Sequence, residues 1–276
     1  MTTGDEAAPM QALRHYLLAV QFFTRLPVTG RLAAWVGYSP AMLRASSAHF
    51  PGVGWLVAGV AVGVYALLHH ALGGQGYAPL VAAVGSTIAT VLVTGGFHED
   101  GLADVADGLG GAYRRERALT IMKDSRIGAF GAMALVLSLA AKLALLAQLG
   151  HLGLAGALVA LAGAHVLSRL WPLVVVRALP HVGDTATSKS KPLADQISGR
   201  ALLAASLWCF PALALVWQAQ GAFVLIASLL CSALGAAWML WRFARRLQGF
   251  TGDCLGATQQ VAEIAFYLGA AIALTP

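Results

Sequence analysis

Charge is scarce in this chain. Only 11% of its 276 residues are charged, and acids are the rarer sign, 12 Asp and Glu against 18 Lys and Arg. Cysteine is nearly absent: three residues, at 209, 231 and 254, allow neither a disulfide framework nor a Cys-x-x-Cys metal site. Packing as small thiols is what remains for them, with Cys254 expected in a loop. Period-two alternation of apolar and polar residues is also missing, which argues against a membrane barrel. Residues 1–11 carry Asp5 and Glu6 where a secretory signal would be basic, so no cleavable signal is expected.

Hydrocarbon, by contrast, is abundant. A hydrophobic fraction of 58% and a mean hydropathy of +0.72 do not describe a soluble domain. Apolar runs of about 20 residues, the length that crosses a bilayer as helix, recur along the chain. They lie near 52–72, 77–97, 129–149, 153–176, 201–218, 222–241 and 260–275, the last of them short. Their content of Ala, Leu and Gly suits closely packed helices. The fold class is therefore all-α, a polytopic membrane helix bundle of about seven spans. A single membrane domain covers 1–276, with 1–51 as an interfacial N-terminal segment. Within it, residues 11–28 are predicted to form an interfacial helix ending at Pro27.

The few charges sort by side. Connections at 73–76, 150–152 and 219–221 contain no Lys or Arg, whereas those at 98–128, 180–200 and 242–259 are basic. Basic loops stay in the cytoplasm, so the N-terminus and every charged loop are expected there. The sequence pI near 9.5 is thus a topology signal and a means of meeting anionic headgroups, and needs no nucleic-acid partner. Arg177, near a span end, is explained by snorkelling. Lys142 and Arg169 lie within spans, either as bundle-facing functional charges or as anchors.

Half of the acids fall between Glu99 and Asp124, and four of them lie in the stretch Gly95-Gly96-Phe97-His98-Glu99-Asp100-Gly101-Leu102-Ala103-Asp104-Val105-Ala106-Asp107-Gly108. If Phe97–Leu109 continues the second span as helix, Asp100, Asp104 and Asp107 share a sector of about 60° at about 100° per residue. Three neighbouring carboxylates repel, and each resists ionisation unless compensated. A hard divalent cation such as Mg²⁺ supplies that compensation and brings substrate phosphates with it. The bland alternative is a solvated acidic helix end. A carboxylate at the bilayer centre costs about 2.5–3.5 kcal/mol, so the cluster must leave the core or be paired. Solvation alone does not explain why the three acids share one sector. Glu99 falls outside the sector and reads as a peripheral ligand or, the reading favoured slightly, simply as an exposed acid. His98 is a candidate proton relay or substrate contact, or an ordinary interfacial histidine.

Two further loops carry chemistry on the same side. Ile121-Met122-Lys123-Asp124-Ser125-Arg126-Ile127-Gly128-Ala129-Phe130-Gly131 sets two cations around an acid, with glycines where a span begins. That pattern suits Lys and Arg gripping phosphate oxygens while helix N-terminal amides assist; the alternative is positive-inside decoration. Gly249-Phe250-Thr251-Gly252-Asp253-Cys254-Leu255-Gly256-Ala257 places one acid among glycines ahead of the last span, a plausible second wall.

Together with Phe22-Phe23-Thr24-Arg25-Leu26-Pro27, these segments resemble the adenosylcobinamide-GDP ribazoletransferase (cobalamin synthase) family, in the family's order and over nearly the whole chain. Glu99 departs from that pattern, where the family more often has an apolar residue, and nothing is carried over for 180–200. The resemblance implies a Mg²⁺-dependent enzyme of the bacterial inner membrane whose active site faces the cytoplasm. Its reaction joins adenosylcobinamide-GDP to α-ribazole or its phosphate and releases GMP, a late step of cobalamin biosynthesis. On that basis Asp100, Asp104 and Asp107 would hold metal, and one of them or His98 would take the hydroxyl proton. Lys123 and Arg126 would meet the departing phosphate, Asp124 and Asp253 would orient ligands, and Arg25 would contact substrate. Whether the chain forms a homo-oligomer is left open.

Competing readings share parts of this pattern. Membrane prenyltransferases use two Asp-rich motifs, and here the second offers only Asp253. CDP-alcohol phosphotransferases order their acids, Gly and Arg differently from residues 98–108. A secondary transporter, the non-enzyme alternative, needs ionisable residues near mid-bilayer, whereas these acids are expected to collect at one face.

Overall fold

The computed structural model describes residues 8–183 and 197–275. Among them the only strand-like feature is an isolated bridge between His181 and Phe250, and everything else that is regular is helix. An N-terminal helix α1 (Ala8–Phe23) is followed by short α2 (Gly30–Val36) and α3 (Pro40–Ser46). The expected interfacial helix thus exists but ends at Phe23, four residues before Pro27. Then come α4 (Phe50–Ala71), α5 (Ala78–Thr94), α6 (Phe97–Gly111), α7 (Arg115–Met122) and α8 (Ala129–Leu152). The chain continues through α9 (Leu154–Leu167), α10 (Trp171–Ala178), α11 (Gly199–Arg246) and α12 (Gly252–Leu274).

By length and composition, the stretches Pro40–Ala71, Ala129–Leu152, Leu154–Ala178 and Gly199–Arg246 are each able to cross a membrane. The last is assigned as one 48-residue helix, about 72 Å if straight. It is not straight. Gly221 has φ 86° and ψ 171°, a conformation open to glycine at little cost. Ala205 packs in the same apolar cluster as Met239 and Phe243, while Val216 and Val224 share another. Only a reversal at Gly221 brings those pairs together, so α11 is two antiparallel helices and matches the two spans expected at 201–218 and 222–241.

The outward faces of α11 are apolar. Leu203, Leu207, Phe210 and Trp217 are exposed at helical spacing, while Ala205, Cys209, Ala212 and Val216 of the same half are buried. Polar tips bind across helices where no water would satisfy them: Tyr65 Oη donates to Leu146 O (3.0 Å), and Trp171 Nε1 donates to Ser232 Oγ (2.8 Å).

Where a short final span was expected at 260–275 there is a 23-residue helix, α12, beginning at Gly252, and it is not among the stretches apolar enough to cross a membrane. It packs against α6, α8, α9, α10 and α11 and forms the bundle's centre. Its line of Gln259, Gln260 and Glu263 lowers its hydropathy and shortened its apolar signature. Cys254, expected in a loop, is fully buried in its first turn.

A second departure positions the site. The sequence reading continued α5 into the acidic motif, but the chain turns by 90° between them. Gly95 caps α5 with φ 77° and Gly96 follows at φ 70°. Two successive left-handed residues end one helix and start the next at a right angle, a corner only glycines make without strain. As a result α6 runs at a right angle to α5. Its apolar residues Leu102, Val105 and Leu109 cluster with Ala118 and Met122 of α7, Phe243 of α11 and Phe250.

Candidate active site

On α6, Asp100 is exposed and Asp104 half-buried one turn later. The N-terminus of α12 crosses directly above them. A Cβ on Gly101 would stand 2.7 Å from Asp253 O, and one on Gly256 3.1 Å from the His98 Cα. These two glycines let the backbones touch, and the crossing brings Asp253 to the acids of α6. The Thr251 hydroxyl donates to Asp253 Oδ2 at 3.2 Å. Burial, then the charges of Asp253, Asp100 and Asp107 in that order, push Asp104 up to about 7 from the ordinary 3.8. Burial also raises Asp253, with Asp100 adding to the rise and the Thr251 hydrogen bond opposing it.

Among the described residues no cationic side chain pairs with Asp100 or Asp104. Nor do any three His, Cys, Asp or Glu side chains converge tightly enough to enclose an ion. An all-protein cage is therefore a poor fit. Mg²⁺ commonly takes one or two carboxylates and completes its shell with water and substrate phosphates, and two or three mutually repelling acids at a cavity rim suit that mode.

Asp107, expected as the third ligand, is turned elsewhere. Its Oδ2 accepts from Gly128 N (2.7 Å) and its Oδ1 from Gly131 N (2.8 Å), so the carboxylate caps α8. A Cβ at either glycine would collide with that carboxylate. The helix N-terminal amides that the sequence reading offered to a phosphate are thus already occupied by the protein's own acid, which also complements the helix dipole. Asp107→Asn puts an NH₂ against one of those N–H groups. A loss of about 1–2 kcal/mol of stability is expected, visible as a lower Tm in detergent with the Mg²⁺ response retained.

In the loop before α8, Arg126 binds Asp124 through Nε (2.9 Å) and Nη2 (2.6 Å), and both are solvent-facing. That pairing holds the Asp124 carboxyl down at about 2. Lys123 is exposed. Arg25 sits at the α5–α6 corner, its main-chain N donating to Val93 O (2.6 Å) and its side chain lying over Gly95. His98 is 2% exposed and stacks on Phe50 with centroids 5.9 Å apart; its Nε2 has no protein partner among the described residues. Burial first, then the charge of Arg169, hold this imidazole neutral, far below the ordinary histidine value. It is correspondingly a weak base. A cavity of about 340 Å³ adjoins Asp100 and Asp253, and five phenylalanines are among the residues that wall it.

The cobalamin-5-phosphate synthase family profile matches residues 15–271. The chain belongs to this family. A curated relative from Polaromonas naphthalenivorans, named adenosylcobinamide-GDP ribazoletransferase, is 62% identical over 96% of this chain and 100% of its own length. Proteins of the same name from Leptothrix cholodnii (47% identical, 95% of this chain and 97% of theirs) and Vibrio cholerae (41%, 93% and 92%) match as well. No solved structure matches the chain.

Beneath the acids, this cobalamin-5-phosphate synthase family member carries a feature that sequence reasoning missed. Glu263 on α12 is 1% exposed and meets Lys142 Nζ of α8 at 2.6 Å. Its carboxylate also accepts from Gln259 Nε2 (2.6 Å) and Tyr267 Oη (3.2 Å), with His165 Nδ1 at 3.4 Å. Gln260 Nε2 donates to Gln259 Oε1 and to Glu99 Oε1, both at 3.0 Å. The chain Glu263–Gln259–Gln260–Glu99 therefore runs from the bundle interior to the residue next to Asp100. Glu99 is not the exposed acid expected, because Gln260 reaches it from α12. Lys142 and Arg169 are bundle-facing rather than anchors: both are 2% exposed, and the Arg169 guanidinium lies 5.7 Å from the Phe50 ring centroid. The available sequence signal was a carboxylate inside an apolar run, opposite two cations in other runs.

Proposed function

We propose that this chain joins adenosylcobinamide-GDP to α-ribazole, or to its phosphate, releasing GMP. The carrying observation is the crossing of α12 over α6, which sets Asp253 beside Asp100 at one cavity with Asp104 a helical turn away, in a chain whose relatives bear the ribazoletransferase name. Asp100 and Asp104, one helical turn apart, would hold Mg²⁺ with Asp253 opposite. When bound there, the ion would neutralise charge on pyrophosphate oxygens and orient them. Asp107 keeps the α8 end in register with this rim instead of binding the ion.

The ribose hydroxyl oxygen attacks the pyrophosphate phosphorus nearer the cobinamide. The new O–P bond forms as the bond to the GMP oxygen breaks, and GMP departs with that electron pair. Asp253 lines the cavity and its carboxyl is raised by burial, so it is suited to take the hydroxyl proton. Arg126 is solvent-facing and would exchange Asp124 for the more highly charged leaving phosphate, with Lys123 beside it. This end of the bundle carries the basic loops and would face the cytoplasm.

Purified protein in nanodiscs, given adenosylcobinamide-GDP and α-ribazole, is expected to release GMP with Mg²⁺ and to stop when EDTA is added. Absence of GMP with both substrates and Mg²⁺ present would sink this function. Turnover undiminished by EDTA would sink the metal's part in it.

A further inference from the structure

The 340 Å³ cavity lies at the small end of ligand sites, which run about 300–1,000 Å³. Five phenylalanines, Phe22, Phe23, Phe50, Phe97 and Phe250, come to it from four parts of the chain. Phe23 and Phe50 are stacked, with centroids 4.2 Å apart and planes at 27°. Leu173 and Val176 of α10 close the apolar wall. Four polar residues break it, Ser47, His98, Asp100 and Asp253.

Such a wall selects a flat aromatic ring with few hydrogen-bonding atoms. A corrin macrocycle is too large for this volume. Guanine carries donors and acceptors around its edge, and leaving each unpaired against phenylalanine costs about 1–3 kcal/mol. The benzimidazole-type base of α-ribazole is planar, largely apolar and has one free ring nitrogen. We propose that the cavity seats this base. Phenylalanine side chains contact the ring, and the attached ribose projects to Asp100 and Asp253. The nucleophile is thereby oriented by its non-reacting end, a use of remote binding to position the reacting atom. The assignment rests on the proposed transfer reaction, but it makes a separate claim about which substrate enters here.

Leu173→Trp, which crowds the cavity from α10, tests it, with Val176→Phe as a smaller filler should the first variant fail to fold. Variants are accepted if they elute as one species and keep wild-type helical content. Calorimetric titration with α-ribazole alone, without metal or second substrate, is expected to show at least about tenfold weaker binding in the filled variants. The KM for α-ribazole should rise in parallel while that for adenosylcobinamide-GDP stays within about twofold. Unchanged α-ribazole affinity in a folded variant overturns the assignment, as does loss of GMP affinity instead. If wild-type protein binds α-ribazole and the fillers weaken it but no GMP is ever released, the reaction fails and the binding site stands. If GMP is released and the fillers leave the α-ribazole KM untouched, the site fails and the reaction stands.

Discussion

Asp104→Asn is expected to yield a protein that folds more stably and barely turns over. A metal-ligand charge contributes several kcal/mol to phosphoryl transfer, so GMP release should fall more than about a hundredfold. Stability should move the other way. The Asp104 carboxyl titrates near 7 in the folded protein against an ordinary 3.8. Between those values the unfolded chain gives up its proton while the folded one keeps it, so native stability declines as pH rises through that window and stays reduced above it. Asparagine has no proton to lose. Metal-free wild type should therefore lose Tm between about pH 4 and 7 more steeply than the variant, and Mg²⁺ should restore it at pH 8 in the wild type alone. Asp107→Asn provides the contrast, since it lowers Tm and retains the Mg²⁺ response. If Asp104→Asn keeps more than about a tenth of the activity, or keeps the Mg²⁺-induced rise in Tm, Asp104 is not a ligand.

Glu263→Gln is expected to be the most damaging single change in the bundle. It leaves Lys142, 2% exposed, without its charge partner and turns an amide NH₂ toward groups that already donate. Removing one partner of a buried pair costs about 3–5 kcal/mol, a large share of a typical folding free energy of about 5–15 kcal/mol. Little monodisperse protein should survive detergent extraction. Lys142→Met together with Glu263→Gln removes both charges of this pair and should recover part of the yield, because Lys142 is no longer left without a partner, while buried Arg169 keeps Glu99 as its acidic neighbour. Recovery of yield without recovery of turnover would show that the network also positions Asp100, through Gln260 and Glu99. Wild-type thermal stability in Glu263→Gln would show that the ion pair contributes nothing.

Much of the fold was legible because a bilayer leaves a chain few options. Apolar runs of spanning length, basic loops on alternate connections and the chain-reversing position near Gly221 can all be read by counting residues. The acids were legible as a cluster for the same reason, as charges stand out in a chain that has so few. Their partition was not. Helical spacing put Asp100, Asp104 and Asp107 on one sector, but spacing says nothing about what faces that sector. Asp107 meets the amides of Gly128 and Gly131 because α8 begins beside it. Asp253 joins the other two because Gly101 and Gly256 let α12 cross α6 at contact distance.

Residue order alone thus determined the helical class and the family, since these follow from hydrophobic length, charge placement and local motif. Packing decided which acids meet. The crossing of α12 over Gly101 and the interior pairing of Glu263 with Lys142 join residues more than about a hundred positions apart. Such contacts depend on how helices meet in space, and no periodicity within a single helix encodes that.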